Sequence, residues 1–500
     1  MTRHMRPQGR GEAGDGFTPI LDLALTRAGL ITHEKVVARD LDMLGYPAAN
    51  WTPTIAAPDG APVTDVLVVG AGMNGIAASA ALMFKGVRNL RVFDRNPPGR
   101  EGPWLTFARM DTLRSPKTLP GPALGIPSLT FRAWYEAAFG PDAWEALYKI
   151  PNGTWVEYLA WLRRTLKLPV EHESSVRRIT PSPGLLQVEI ESPGGIRTCI
   201  ARRVVLATGR GGTGGDHIPD LVGRDLWPDL AAHTNEVIDF EALRGKSIGV
   251  LGGGASAWDN AATALERGAG HVDMYVRRLQ LPQINKGRGS ASPGYFHGWS
   301  ALDDAERWAL FVYLNDLQAP PPHETVHRAL RQPGFHIHLG RPVRMVERRD
   351  RRVALHIHGV EAPREHDFLI VGTGFQVNAG AIPELGDWSS AVARWSDRHV
   401  PPEELQRPGL GDFPYLGPGF ELMERTPGQA PELSRIHLVN HGASLSHGAV
   451  ASDIPGVNVA AERLATAVTA SLFREDIASI RRDLEAFNEP ELEGTPFLVR

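Results

Sequence analysis

The strongest pattern in the chain is an apolar run that breaks on glycines and resumes as a helix, and it occurs twice. In "DVLVVGAGMNGIAASAALMFKG", residues 65–86, four aliphatic residues precede the turn and small apolar residues follow it. A short unbroken apolar run is a strand buried on both faces, as in a parallel sheet. The turn Gly70-Ala71-Gly72-Met73-Asn74-Gly75 then opens a helix predicted through Phe84, and "LRVFD", residues 90–94, is the next strand. "SIGVLGGGASAWDNAATALERG", residues 247–268, repeats the pattern near the middle of the chain. Gly252 and Gly254 hold the first two glycine positions, Ala257 takes the third, and "HVDMYVRR", residues 271–278, is the following strand.

The stretches between follow their own periods. Pro97 to Leu129 is proline-rich and irregular, whereas "FRAWYEAAF" (131–139) and "WVEYLAWLRRTL" (155–166) have helical spacing. "LLQVEIES" (185–192) and "RTCIARRVVLATG" (197–209) predict a hairpin whose second arm becomes a buried strand ending at Thr208-Gly209. "FHIHLG" (335–340) and "RRVALHIHG" (351–359) are strands, and "DFLIVGTGF" (367–375) is a buried strand ending at Thr373-Gly374. The tail from 435 to 468 gives a strand, a glycine-rich turn and a long helix; a separate charged helix is expected over 474–489.

This order predicts an α/β fold with two Rossmann-like dinucleotide-binding domains. In each turn the glycines allow a sharp bend, close approach of a pyrophosphate and tight helix packing, while the helix N-terminus faces the phosphates. The tips differ. Asp94, ending the strand that follows the first turn, is placed to bond ribose hydroxyls; the second unit carries Arg277 and Arg278 instead, suited to a 2′-phosphate, the mark of NADP over NAD.

Composition narrows the picture in three ways. A net charge of −4 over 500 residues gives no reason to expect nucleic acid or an acidic membrane. Residues 66–84 lack charge and are long enough to span a bilayer, but their spaced glycines assign them to strand, turn and helix. The polar, glycine-rich stretch at 1–16 does not form a secretory signal and is expected to be a mobile tail, so a cytoplasmic protein is expected. Cys199 is the single cysteine, which excludes a dithiol redox pair. No metal site is expected: the "HIH" pairs at 336 and 356 each put two histidines on one strand face with no third ligand in view.

A glycine motif ending in an acid, then Ala-Thr-Gly, a second glycine motif ending in arginine, and Asp-x-x-x-x-Gly-Thr-Gly-Phe resemble the class B flavoprotein monooxygenases from about residue 64 to 470. The resemblance implies FAD at Gly70, Gly72, Gly75 and Asp94, with Thr208, Gly209, Thr373 and Gly374 closing around the nucleotides. It implies NADPH at Gly252, Gly254, Ser256, Arg277 and Arg278, with Lys286 a second phosphate contact. The NADPH domain is then inserted into the FAD domain. The expected parts are an N-terminal extension (1–63), FAD domain (64–215), NADPH domain (216–360), FAD domain resumed (361–472), and a C-terminal helix and tail (473–500). Trp104 in "EGPW" would lie near the flavin, and Lys117 in "DTLRSPK" is a candidate for the substrate pocket, because that stretch with "SLTFRAWY" is similar to the amine N-hydroxylases. His233 survives from the family fingerprint, and His441 and His447 flank a turn that in the family approaches the flavin; His447 is a candidate proton relay.

Departures matter too. "WPDLAAH" replaces Phe and Gly of the fingerprint with Trp227 and Asp229, and the Trp-Pro that completes the Baeyer–Villiger version is absent. The implied activity is NADPH-driven insertion of one oxygen atom from O2 into a small molecule, with N-hydroxylation of an amine ahead of ketone oxygenation. A non-oxygenating oxidase or a redox-sensing flavoprotein stays open.

Overall fold

The computed structural model describes residues 28–492 and 494–497, so the expected N-terminal tail lies outside the described residues. Two parallel-centred sheets carry the molecule. The first runs in the order Val170–Glu171, Leu90–Phe93, Val63–Val69, Gly195–Leu206, Leu185–Ser192, Ser175–Ser182. The long strand Gly195–Leu206 has two partners along one side. Its first half pairs antiparallel with Leu185–Ser192, and Val204 to Leu206 pair parallel with Ile436–Leu438. The tail strand thereby returns beside the first glycine unit.

The second sheet runs Phe335–Leu339, His271–Val276, Ser247–Leu251, Phe368–Val371, Ala231–His233, all in parallel pairs. A three-stranded antiparallel sheet, Val343–Arg349, Arg352–Ile357 and Arg364–His366, stands against it. Phe368–Val371 belongs to this second sheet, although a return to the first domain was expected at 361. Its parallel pairing places it there: Phe368 to Val371 lie between Ser247–Leu251 and Ala231–His233, all four buried, as a strand covered on both faces must be.

Burial explains the helices. Helix Met73–Phe84 is apolar almost all round and is buried on both sides, against its strand and against the long helix Val457–Ala486. That long helix is one element of 30 residues, not two, because no glycine or proline interrupts it. It is anchored by Arg202, fully buried, whose guanidinium meets Asp476 at 2.8 Å and Asp65 at 3.1 Å. The segment before the first strand contributes a helix that the pattern did not reveal, Ala28–Met43. It lays Leu30 and Val37 on a cluster of Trp134, Trp155, Tyr158 and Trp161.

Candidate active site

The carboxyl ends of both sheets open into one cleft of about 3280 Å³, lined by residues of both glycine turns, the irregular segment 95–119, and the glycine-rich turn at 441–455. A pocket for one small molecule measures roughly 300–1,000 Å³, so this space accommodates more than one ligand. Its position outside the carboxyl ends of parallel strands is where α/β sheets bind nucleotides.

In the first turn the three glycines do different work. Gly70 has φ +98°, and a Cβ there would meet Ala207 O at 2.6 Å; one on Gly75 would stand 1.8 Å from Gly70 O. These two positions are closed by backbone. Gly72 is not: its added Cβ would meet only Gly102, at 3.7 Å, and so would project into the cleft. Opposite, the indole Nε1 of Trp104 is buried without a hydrogen-bond partner, beside Gly102. A cradle that a side chain at Gly72 would fill, beside a buried donor without a partner, fits a bound dinucleotide phosphate. Asp94 sits behind it, 5 % exposed, accepting from the N–H of Ala71 and of Asn96, both at 2.8 Å. Each carboxylate oxygen keeps a lone pair for a ribose hydroxyl.

The second turn repeats this plan. Gly252 has φ +128° and a Cβ there would strike Gly372 O at 2.2 Å, while Gly254 has nothing within 4 Å. Ala257 takes the packing position, fully buried; a Cβ on Gly372 would stand 2.6 Å from its methyl. Ser256 lines the cleft one turn further on. Arg277 is exposed at the tip and makes no hydrogen bond or ion pair among the described residues; Arg278 leans toward Asp316 O at 3.5 Å. Sequence reasoning missed Arg341, whose backbone N–H donates to Val276 O at 3.1 Å and whose side chain lines the same mouth. Only the pairing of Phe335–Leu339 beside His271–Val276 reveals it. Lys286 does not line the cleft, whereas Arg288 does. Lys286 opens the short helix that Asn285 caps, which turns it outward.

Thr208, Gly209, Thr373 and Gly374 all line the cleft. Thr208 Oγ1 accepts from Asn440 Nδ2 at 3.0 Å, and Thr373 Oγ1 donates to His217 O. Arg109, also unforeseen, joins the two halves: it donates to Phe107 O at 2.7 Å, Thr234 O at 3.0 Å and Glu236 O at 2.7 Å. Burial brings its pKa down to about 10, Asp259 opposing, so it stays charged at neutral pH.

The three candidates for chemistry are not brought together. Lys117 lines the cleft, but its ammonium donates to Trp144 O at 2.6 Å and lies 4.8 Å from the Trp144 ring centre. His233 is fully buried behind Thr234, edge-on to Phe375, with Asn235 N–H donating to its Nδ1 at 3.2 Å and Nε2 unpartnered. His447 is also walled off: Nε2 donates to Gly417 O at 3.0 Å, Nδ1 accepts from Arg463 at 3.1 Å, and Phe420 stacks on it at 4.0 Å. Burial, then Arg463, takes its pKa to about 3. Of the histidines singled out from the sequence, His441 lines the cleft, as His217 and His323 also do; burial and then Arg210 bring the pKa of His441 to about 3 and keep it neutral.

Comparison with known proteins accords with this geometry. The family described as pyridine nucleotide-disulphide oxidoreductase matches residues 67–290. An FAD-dependent urate hydroxylase of Xanthomonas campestris is 38% identical over 463 residues, 92% of this chain and 97% of that protein. The chain belongs to the class B flavoprotein monooxygenases. Solved members share its fold. The ornithine hydroxylase of Pseudomonas aeruginosa superposes with a TM-score of 0.65 at 17% identity, covering 81% of this chain and 98% of that one. The ornithine N-hydroxylase of Kutzneria does so at 0.64 and 16%, covering 82% and 100%. Dithiol exchange of the disulphide oxidoreductase kind has no second cysteine here, and Cys199 is buried on Gly195–Leu206, outside the cleft lining.

Proposed function

We propose that this monooxygenase hydroxylates a small, nitrogen-rich heterocycle carrying negative charge, of the urate type. The enzyme is FAD-dependent and uses NADPH and O2. We assign FAD to the turn of Gly70, Gly72 and Gly75 with Asp94, and NADPH to that of Gly252, Gly254 and Ser256 with Arg277 and Arg278. When both are bound, hydride from the nicotinamide reduces the flavin, which supplies activated oxygen. The chain binds, orients and excludes water.

The observation that carries the substrate class is the 38% identity extending along nearly the whole urate hydroxylase. The charge of the walls supports it. Arg95 and Arg100 line the cleft with no ion pair among the described residues, whereas the carboxylates that line it beyond Asp94 are already engaged, three of them by the lining cations Arg114, Lys149 and Arg210. Asp259 binds Arg114 at 2.7 Å, Glu324 binds Lys149 at 2.7 Å, Asp453 binds Arg210 at 3.2 Å, and Asp216 accepts from Asn235 at 2.9 Å. Burial pushes the Glu384 carboxyl up, toward its neutral form. With Asp94 given to the flavin's ribose, no uncommitted carboxylate among the described lining residues is left to draw in a cationic amine, while an anion meets arginine. His441, held neutral, accepts or donates one hydrogen bond without adding charge.

Amine N-hydroxylation is the competing reading, supported by the stretch at 111–117. One experiment separates them: FAD-loaded enzyme with urate, related purines, ornithine, lysine and cadaverine, scored for NADPH use, O2 uptake and product mass. Urate or a relative should couple NADPH to the gain of one oxygen atom. Coupled oxygenation of an amine alone overturns the proposal, as does NADPH use that yields only hydrogen peroxide with every heterocycle.

A further inference from the structure

Strand pairing supplies what the "HIH" pattern at 336 lacked. Phe335–Leu339 is the edge strand of the second sheet, and its register sets His336 directly opposite Asp273 on the neighbouring strand. His271 lies two residues before Asp273 on the same face, and His338 two residues after His336. The rings of His271 and His336 are 4.7 Å apart between centres. One potential ligand atom from each of His271, Asp273 and His336 lies within 4.8 Å of the others. Asp273 is mostly buried and offers one oxygen to each neighbour: Oδ2 is 2.8 Å from His271 Nε2, and Oδ1 is 2.6 Å from His338 Nε2. His338 is fixed in turn by stacking on Tyr275, 5.0 Å between centres and 14° from parallel. His336 is exposed and makes no hydrogen bond among the described residues.

We propose that His271, Asp273 and His336 bind a divalent transition-metal ion, zinc by chemistry, with His338 as the fourth ligand or as the imidazole that orients the carboxylate. Two or three imidazoles with one carboxylate are a borderline donor set, suited to zinc, cobalt or nickel and poorly suited to calcium or magnesium. Metal–ligand bonds of about 2.0–2.2 Å need the ligand atoms to draw in by roughly an ångström. An exposed edge strand can move that far. None of the four residues lines the cleft, so the ion is structural. It would staple an exposed edge strand to its neighbour.

The test uses untagged, FAD-loaded, chelator-stripped enzyme titrated with Zn2+ by calorimetry, with thermal unfolding followed in parallel. One ion should bind per chain and raise the unfolding temperature. His336→Ala and His271→Ala should each weaken binding by at least about tenfold and abolish the thermal shift, and His338→Ala should weaken it about tenfold. His356→Ala, on the other "HIH" strand, should change neither, and NADPH oxidation should stay at the wild-type rate throughout. Because His336 is exposed and unbonded, its variant reports on binding even if a change at Asp273 disturbs folding. Absence of saturable binding near one equivalent, or wild-type affinity in His336→Ala, overturns the site.

Discussion

The two glycine turns share a backbone plan and differ in enclosure. Each has one glycine shut against a neighbouring carbonyl, Gly70 on Ala207 and Gly252 on Gly372, and one open toward the cleft, Gly72 and Gly254. Beyond that they part. The first turn leads to Asp94, buried and held by two backbone N–H groups, and its helix is packed on both sides. The second leads to Arg277, exposed and unpaired among the described residues. A buried acid fixed in advance suits a cofactor that stays through many turnovers; an exposed cation suits one that must leave after each. On the proposed assignment, two similar turns serve a resident flavin and an exchanging nicotinamide through what surrounds them.

The sharpest way to break the comparison is at the open glycines. Gly72→Val should give folded protein, by circular dichroism, that is colourless and takes up no FAD, because the side chain occupies the phosphate cradle. Gly75→Val should instead fail to fold, since even a Cβ there lies 1.8 Å from Gly70 O. Gly254→Val should remain yellow and lose NADPH-driven reduction. A yellow Gly72→Val protein would remove the assignment of the first turn.

Next in size is the exposed tip. Arg277→Ala should raise the KM for NADPH about ten- to a hundredfold, the worth of one charge-assisted hydrogen bond of about 1.5–3 kcal/mol, and leave NADH nearly unchanged. Arg341→Ala should do the same to a smaller degree. Equal loss with both nucleotides, measured by steady-state kinetics, would mean these arginines do not read the 2′-phosphate.

Both turns were legible because local rules write them: an apolar strand, glycines at fixed offsets, a helix, a tip residue. Most strands of both sheets and the helix Phe131–Phe139 followed from period alone, whereas the strands Val170–Glu171, Ser175–Ser182 and Ala231–His233 did not. Features that depend on distant partners were not legible. The register that sets His336 against Asp273 comes from pairing two strands separated by the whole segment 277–334, and Arg341 reaches the mouth by that same pairing. Arg109 looked like one arginine among many, yet it ties residue 107 to residues 234 and 236. His447 was singled out as a residue type suited to proton transfer, and His233 as the survivor of the family fingerprint. Burial decides whether such a group can reach a substrate, and a sequence does not state it. The helix Ala28–Met43 was missed because only Leu30 and Val37 are buried on it, too few for a clear apolar stripe.

The smallest predicted effect tests the same contrast through acid. His437, His441 and His447 all belong to the returning segment that packs on the first sheet. Burial, the largest cause for each, takes their pKa values to about 4, 3 and 3. The second unit holds two such groups, His366, at about 4, and the fully buried His233, whose pKa burial also lowers, while its strand histidines 271, 336 and 338 are partly or wholly exposed. Each buried imidazole is neutral in the folded state and binds a proton near pH 6.5 when unfolded. Stability from this source is therefore complete above about pH 6.5 and falls as the pH drops toward 4, by at most about 1.4 kcal/mol per pH unit for each group. With three such groups against two, the unit proposed to hold the flavin should loosen first. Flavin fluorescence, which rises on release, should increase within that window before the far-ultraviolet circular dichroism is lost. His447→Gln can donate to Gly417 O and accept from Arg463 without binding a proton, so it should move the release midpoint down by a few tenths of a pH unit. Release that coincides with global unfolding, or that ignores His447→Gln, would mean that the enclosure of the first turn does not depend on these histidines.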